Sequence, residues 1–128
     1  MTLPTILIVD DNEDARLLLK TIFHRQDQFV IVEATNGQEV LDLVHQILPN
    51  LILMDLMMPV LDGWEATRRI RALDSPVRTV PIIAVTAYES DEAREKAIAA
   101  GCTDYLTRPL PPQALFLEKV AHWLTQRQ

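Results

Sequence analysis

The chain is poor in the residues that several kinds of site require. Its 128 residues include one cysteine and three glycines. Cys102 follows Gly101 in apolar surroundings, has no partner for an internal disulfide, and reads as a small buried thiol. Gly37, Gly63 and Gly101 are too scattered to form a glycine-rich phosphate loop or a dinucleotide fingerprint. Positive charge is also scarce. Lys and Arg number 12 against 18 Asp and Glu, for a formal net charge of -6, which argues against direct nucleic-acid binding because that rests on neutralising phosphates. The one basic cluster, Arg68, Arg69, Arg71 and Arg78, reads as a solvated helix face. No apolar run approaches the roughly 18 residues of a membrane span, and the N-terminus lacks a basic region, so the expectation is a cytoplasmic protein without membrane contact. The histidines, His24, His45 and His122, fall on separate expected helices, which excludes a shared metal site built from them.

What is present is a repeating pattern of short apolar runs and amphipathic stretches, without a composition break. Strands are expected at Ile6 to Val9, Phe29 to Glu33, Leu51 to Met54, Ile82 to Val85 and Thr103 to Leu106. After the first run, Ala15, Leu18, Leu19, Ile22 and Phe23 recur at helical spacing; after the second, Val40, Val44, Ile47 and Leu48 do so until Pro49. A third helix runs through Arg69 and Leu73. A fourth opens at Ser90 as N-cap, with Ala93, Ala97 and Ala100 inside and Gly101 at its end. Leu117, Val120, Ala121 and Leu124 give the core stripe of a fifth. Nearly all-apolar strands joined by helices imply an α/β fold, a (βα)5 doubly wound parallel sheet, read as one domain over residues 1–128 with no output domain. Sites in such sheets lie at the carboxyl ends of the strands.

Those ends carry the chemistry. Asp10 and Asp11 close the first strand and Asp55 the third, in "LILMDLMMP". Two like charges at 4 Å repel by about 4 kcal/mol at an effective dielectric of about 20, so such a cluster demands a cation, raised pKa values or wide separation. Oxygen ligands without clustered His or Cys suit a hard ion, and few carboxylates with room for water suit Mg2+. A carboxylate facing phosphate oxygens beside such an ion can act as nucleophile and form an aspartyl phosphate. Thr86 after "IIAV" offers a hydroxyl at the same edge, and Arg108 after "DYLT" a permanent positive charge. The run from Asp10 through Asn12 and Asp14 partly matches a calcium loop, but Ala15 stands where glycine is needed and Thr21 where glutamate is.

Position, order and context together resemble the receiver domain of two-component response regulators, of the single-domain, chemotaxis type, over nearly the whole chain. The resemblance implies a flavodoxin-like strand order 2-1-3-4-5 and a phosphorylation-dependent switch in a histidine-to-aspartate phosphorelay. It further implies Asp55 as phosphoacceptor, and Mg2+ held by Asp11, Asp55 and the backbone carbonyl of Met57, with Asp10 assisting through water. Thr86 would turn toward the new phosphate, and Tyr105 would move inward with it. Met57 and Tyr88 occupy positions that influence hydrolysis of the acyl phosphate in similar proteins. One departure is plain: Arg108-Pro109 stands where the family has lysine before a cis proline. A planar guanidinium is larger and prefers bidentate contacts, so Arg108 is expected either to reach the phosphate in a shifted geometry or to pair with Asp55 at rest.

The implied partners are a sensor histidine kinase or phosphotransfer protein and a downstream protein target, with signalling by protein contact. Phe116 and Trp123, seven apart on the last helix, offer either a partner or homodimer face or a broad core edge. The chain is expected to be a regulatory phosphoacceptor and not an enzyme. Two alternatives are a degenerate receiver that binds partners without phosphorylation, and an aspartate-based phosphatase, which would need Asp where Asn12 stands.

Overall fold

The computed structural model describes residues 2–87 and 89–126. The strands are β1 (Thr5–Val9), β2 (Val30–Ala34), β3 (Leu51–Met54), β4 (Ile82–Thr86) and β5 (Asp104–Thr107). The helices are α1 (Glu13–His24), α2 (Gly37–Ile47), α3 (Gly63–Arg71), α4 (Asp91–Ala100) and α5 (Gln113–Thr125), with one 3-10 turn at Pro76–Thr79 that the sequence pattern does not announce. All strands are parallel, in the order β2-β1-β3-β4-β5. The expected fold and order are therefore present. Observed strand bounds differ from the expected ones by a residue at several ends, where apolar pattern and hydrogen-bonded ladder need not coincide. Among the described residues, no helix is long and apolar enough to cross a membrane.

Short polar residues start four of the helices. Asn12, Asn36, Asp62 and Ser90 each accept a backbone N–H from the first turn with a side-chain oxygen, satisfying donors the helix itself cannot use. Acidic residues follow at once, Glu13 and Asp14 in α1 and Asp91 and Glu92 in α4, where the helix dipole favours them. Gly101 ends α4 in the left-handed region, as its lack of a Cβ permits.

The sheet divides two apolar layers. On one face Val40 and Val44 of α2, Ile70 of α3 and the alanines of α4 cover Leu7, Ile52 and Ile82. On the other, Leu19 and Phe23 of α1 meet Phe116 and Val120 of α5 over Ile6, Leu53 and Ile83. Each fully buried Leu, Ile or Phe contributes about 1.5–3 kcal/mol of transfer free energy, so the apolar strands anchor their own ends, where the polar residues sit. Leu18, expected on the core side of α1, is exposed, as is Ala121 on α5. Phe116 is fully buried against Phe23, with ring centroids 5.7 Å apart, and Trp123 donates from Nε1 to Asp104 Oδ2 at 2.9 Å. Of the two readings of that pair, the broad core edge is the one present: Phe116, Val120 and Trp123, at i, i+4 and i+7, share the inner face.

The basic cluster also divides. Arg68 and Arg69 are solvated and pair with Glu65 on their own helix. Arg71 is half-buried and donates to the carbonyls of Gly101, Arg78 and Val80, tying the end of α3 to the end of α4 and the approach to β4. Cys102 is buried beside the Thr67 hydroxyl, and burial pushes its thiol above the ordinary range, as expected for an inert thiol.

Between β3 and α3 the backbone turns sharply, and Val60 takes a φ of 70° while being 81% exposed. The left-handed region costs an L-residue roughly 1–2 kcal/mol, and a β-branched one has no local hydrogen bond to offset it. Val60→Asn, which tolerates this conformation, is expected to raise unfolding free energy by about 1 kcal/mol, read as a higher urea midpoint at unchanged slope. An unchanged midpoint would show that the turn stores no such strain.

Candidate functional site

The register of the central strands builds the site. Val9 pairs with Met54, and the Asp55 N–H donates to the Val9 carbonyl at 2.9 Å, so the residues that follow β1 and β3 stand side by side. One carboxylate oxygen from each of Asp10, Asp11 and Asp55 lies within 4.8 Å of the others. Asp10 and Asp55 are buried, whereas Asp11 is exposed.

Asp10 is held at every polar atom. Its N–H donates to the Ala34 carbonyl at 3.1 Å, its carbonyl accepts from Arg16 Nη1 at 2.8 Å, and its Oδ1 accepts the Asn12 N–H at 2.9 Å. Its Oδ2 accepts from Arg108 Nη2 at 2.5 Å. Asp55 is less well compensated. Its Oδ1 accepts the Met57 N–H at 3.3 Å, and its carboxyl is pushed up to about 6, first by burial and then by the charge of Asp10. That N–H and the Arg108 guanidinium act in the opposite direction.

Gly63 lets α3 approach this strand end. A Cβ there would lie 2.2 Å from the Asp55 carbonyl oxygen, closer than any side chain permits, and the Gly63 N–H donates to the Leu56 carbonyl at 3.0 Å. The glycine therefore fixes the β3–α3 turn, and with it the backbone of Asp55.

The structure gathers the residues expected from sequence to different degrees. Asp10, Asp11, Asp55 and Arg108 meet. Arg108 pairs with Asp10 and not with Asp55, because its guanidinium extends across to the end of β1, two strands beyond β4 in the sheet. Thr86 ends β4, buried, and its carbonyl accepts the Arg108 N–H at 2.9 Å, so these two are neighbours on the same edge. Met57 stands at the rim, half-exposed, with its N–H on Asp55. Tyr105 is buried among the alanines of α4, under the Arg94 guanidinium at 5.0 Å from the ring centroid. Tyr88 lies outside the described residues.

Sequence reasoning missed Arg16. It lies one turn into α1, and Nε and Nη1 of its guanidinium reach Glu33 Oε1 at 2.9 Å and the Asp10 carbonyl at 2.8 Å. The only signal was a cation shortly after the acidic pair, and its partner Glu33 lies on another strand. The second oxygen of Glu33 accepts from Lys20 at 3.0 Å, and the hydrogen bond from Lys20 leads the influences that hold the Glu33 carboxyl below its usual range.

The donor set fits a hard divalent cation: three carboxylates close together, one of which, Asp55, is held protonated above the ordinary carboxylate range by burial and by its neighbour Asp10.

Comparison with known proteins agrees with this geometry. The family model for the response regulator receiver domain matches residues 6–119. An uncharacterized 14.6 kDa protein of Leptolyngbya boryana is 42% identical over 110 residues, covering 86% of this chain and 82% of that one. The chemotaxis protein CheY of Halobacterium salinarum is 38% identical over 105 residues, covering 81% of this chain and 83% of its own. The crystal structure of the receiver domain of a sensor histidine kinase from Pseudomonas aeruginosa, with a magnesium ion coordinated in its active-site cleft, has a TM-score of 0.87 at 32% identity, covering 98% of this chain and all of that one.

The raised carboxyl of Asp55 gives a pH signature. In the unfolded chain the group titrates near 3.8 and in the folded one near 6, so ionising it is a cost borne by the fold alone, absent below the lower value and complete above the upper. In chelating buffer, Asp55→Asn is expected to melt higher than wild type at pH 7.5, with the advantage shrinking as pH falls through 6 toward 4. A constant difference in melting temperature across that range would contradict the assigned environment.

Proposed function

The chain belongs to the response regulator receiver domain family, and from that premise we propose that Asp55 is the phosphoacceptor, that Mg2+ is held by Asp11, Asp55 and the Met57 carbonyl with Asp10 assisting, and that Thr86 and Arg108 serve the phosphoryl oxygens. The observation that carries this reading is the meeting of Asp10, Asp11 and the buried Asp55 within 4.8 Å at the carboxyl edge of the sheet.

A divalent ion bound there would neutralise the carboxylates and the oxygens of an incoming phosphoryl group. The protein's own work is to position and to exclude competing groups. Asp55, oriented by the Met57 N–H, attacks the phosphorus of a phosphohistidine on a sensor kinase or phosphotransfer protein; the P–N bond breaks, the imidazole leaves with the bonding pair, and an acyl phosphate forms. The Thr86 hydroxyl, at the end of β4, turns to one phosphoryl oxygen. Arg108 must leave Asp10 before it reaches another, so its present ion pair is the resting arrangement. Tyr105 lies on β5 beside Ala84 of β4 and beneath Arg94 of α4, and so links the Thr86 strand to that helix, which a downstream protein would read.

Treatment with acetyl phosphate and MgCl2, followed by intact-mass measurement, is expected to add one acid-labile phosphoryl group to wild type and none to Asp55→Asn. Arg108→Lys is expected to retain the label, because a positive charge is kept, while its Mg2+ affinity and rate of dephosphorylation change. Absence of label from both acetyl phosphate and a histidine kinase would leave a docking module that works without phosphorylation.

A further inference from the structure

Asp10 stands out in the site because the peptide units on both of its sides are fastened to β2. Its N–H reaches the Ala34 carbonyl, and its own carbonyl is reached by Arg16, which is in turn held by Glu33, the residue before Ala34. The Arg16 side chain is only 14% exposed. Its two contacts use different nitrogens of one rigid fork, so the guanidinium plane spans from β2 to the turn that carries the acidic pair. Lys20 occupies the remaining oxygen of Glu33, which keeps that carboxylate ionised and in place.

We propose that Arg16 is a positioning residue for the metal-binding carboxylates: through the Glu33–Arg16–Asp10 chain it fixes the β1–α1 turn so that Asp10 and Asp11 face Asp55. This rests on the reading of the site given above. Neither Arg16 nor Glu33 touches the phosphoryl group or the ion; their effect passes through the Asp10 backbone. The chain joins the edge strand to the central turn. It does so through the backbone of Asp10, without drawing on the carboxylate oxygens of either aspartate.

Charge and geometry give opposite signs here, which makes the idea testable. A cation close to a metal site opposes the metal, so removing the charge of Arg16 should by itself tighten Mg2+ binding. Loss of positioning should weaken it. Outer residues that orient metal ligands typically account for about 10–100-fold in metal affinity.

The experiment is calorimetric titration of the full chain with MgCl2 alone, in wild type, Arg16→Gln, Arg16→Lys and Glu33→Gln, with thermal melts of each. Arg16→Gln and Arg16→Lys are expected to weaken Mg2+ binding about tenfold, since one ammonium cannot bridge both acceptors, and Glu33→Gln by a smaller factor in the same direction. A merely structural role would lower melting temperatures and leave the dissociation constants unmoved. Unchanged or tighter binding in the two Arg16 variants overturns the proposal; should one fail to fold, the other decides by the same criterion, and should both fail, Mg2+ binding by Glu33→Gln as tight as in wild type overturns it. If wild type itself takes up no Mg2+, the metal reading of the site fails, and this inference with it.

Discussion

The parallel pairing of β1 with β3 forces Asp10 and Asp55 together, and most of the local architecture answers that constraint. The hydrogen bond from the Asp55 N–H to the Val9 carbonyl is part of the ladder, so the carboxylates cannot drift apart without breaking the sheet. Repulsion of about 4 kcal/mol for two such charges at 4 Å, at an effective dielectric of about 20, is comparable to a large share of a small domain's net stability. Burial of the flanking strands supplies the opposing free energy. The apolar residues of β1 and β3 are therefore not passive scaffold: they are what makes a crowded anionic edge tolerable.

Environment divides the three carboxylates into different roles. Asp10 is fixed at its N–H, its carbonyl and both carboxylate oxygens, which suits an anchor. Asp55 is also buried, yet the hydrogen bond from the Met57 N–H that orients it is long and its proton is retained to about pH 6, which suits a group whose charge is completed by something the protein does not itself contain. Asp11 stays in solvent, the low-cost position for a third negative charge. Sequence adjacency thus gives Asp10 and Asp11 opposite surroundings, one turned inward and one outward.

The fold was legible because its strands are almost purely apolar and its helices begin at strong caps; "LILM" of β3 needed no context to be placed. Asp10, Asp11 and Asp55 were legible for a related reason, since residues just beyond the ends of parallel strands converge whatever lies between them. Less could be read where a side chain's reach decides the contact. Nothing in the order of residues says that Arg108 crosses to Asp10 and passes Asp55 by, or that Arg16 meets Glu33. Helix α5 shows a subtler failure. Its apolar residues at 116, 117, 120, 121, 123 and 124 cover more than one stripe, so periodicity alone admitted two rotations, and the ring of Phe116 settled the matter by packing on Phe23. Val60 was invisible for a different reason: a β-branched residue carries no hint of the left-handed conformation it adopts.

Arg108 carries the synthesis one step further. One guanidinium on Asp10, set against three carboxylates, leaves a deficit that a divalent ion would match. A compact ammonium would sit as a strongly hydrated point charge, readily exchanged with water. A guanidinium, planar and weakly hydrated, holds more persistently a carboxylate that is only 1% exposed at its side chain. Under the proposed chemistry the resting protein thus carries a built-in counter-ion on its anchor carboxylate. The same pairing that eases repulsion would set the resistance that a cation must overcome. On that reading, the stability of the fold and the readiness of the site to take a cation would be coupled through Arg108, just beyond β5.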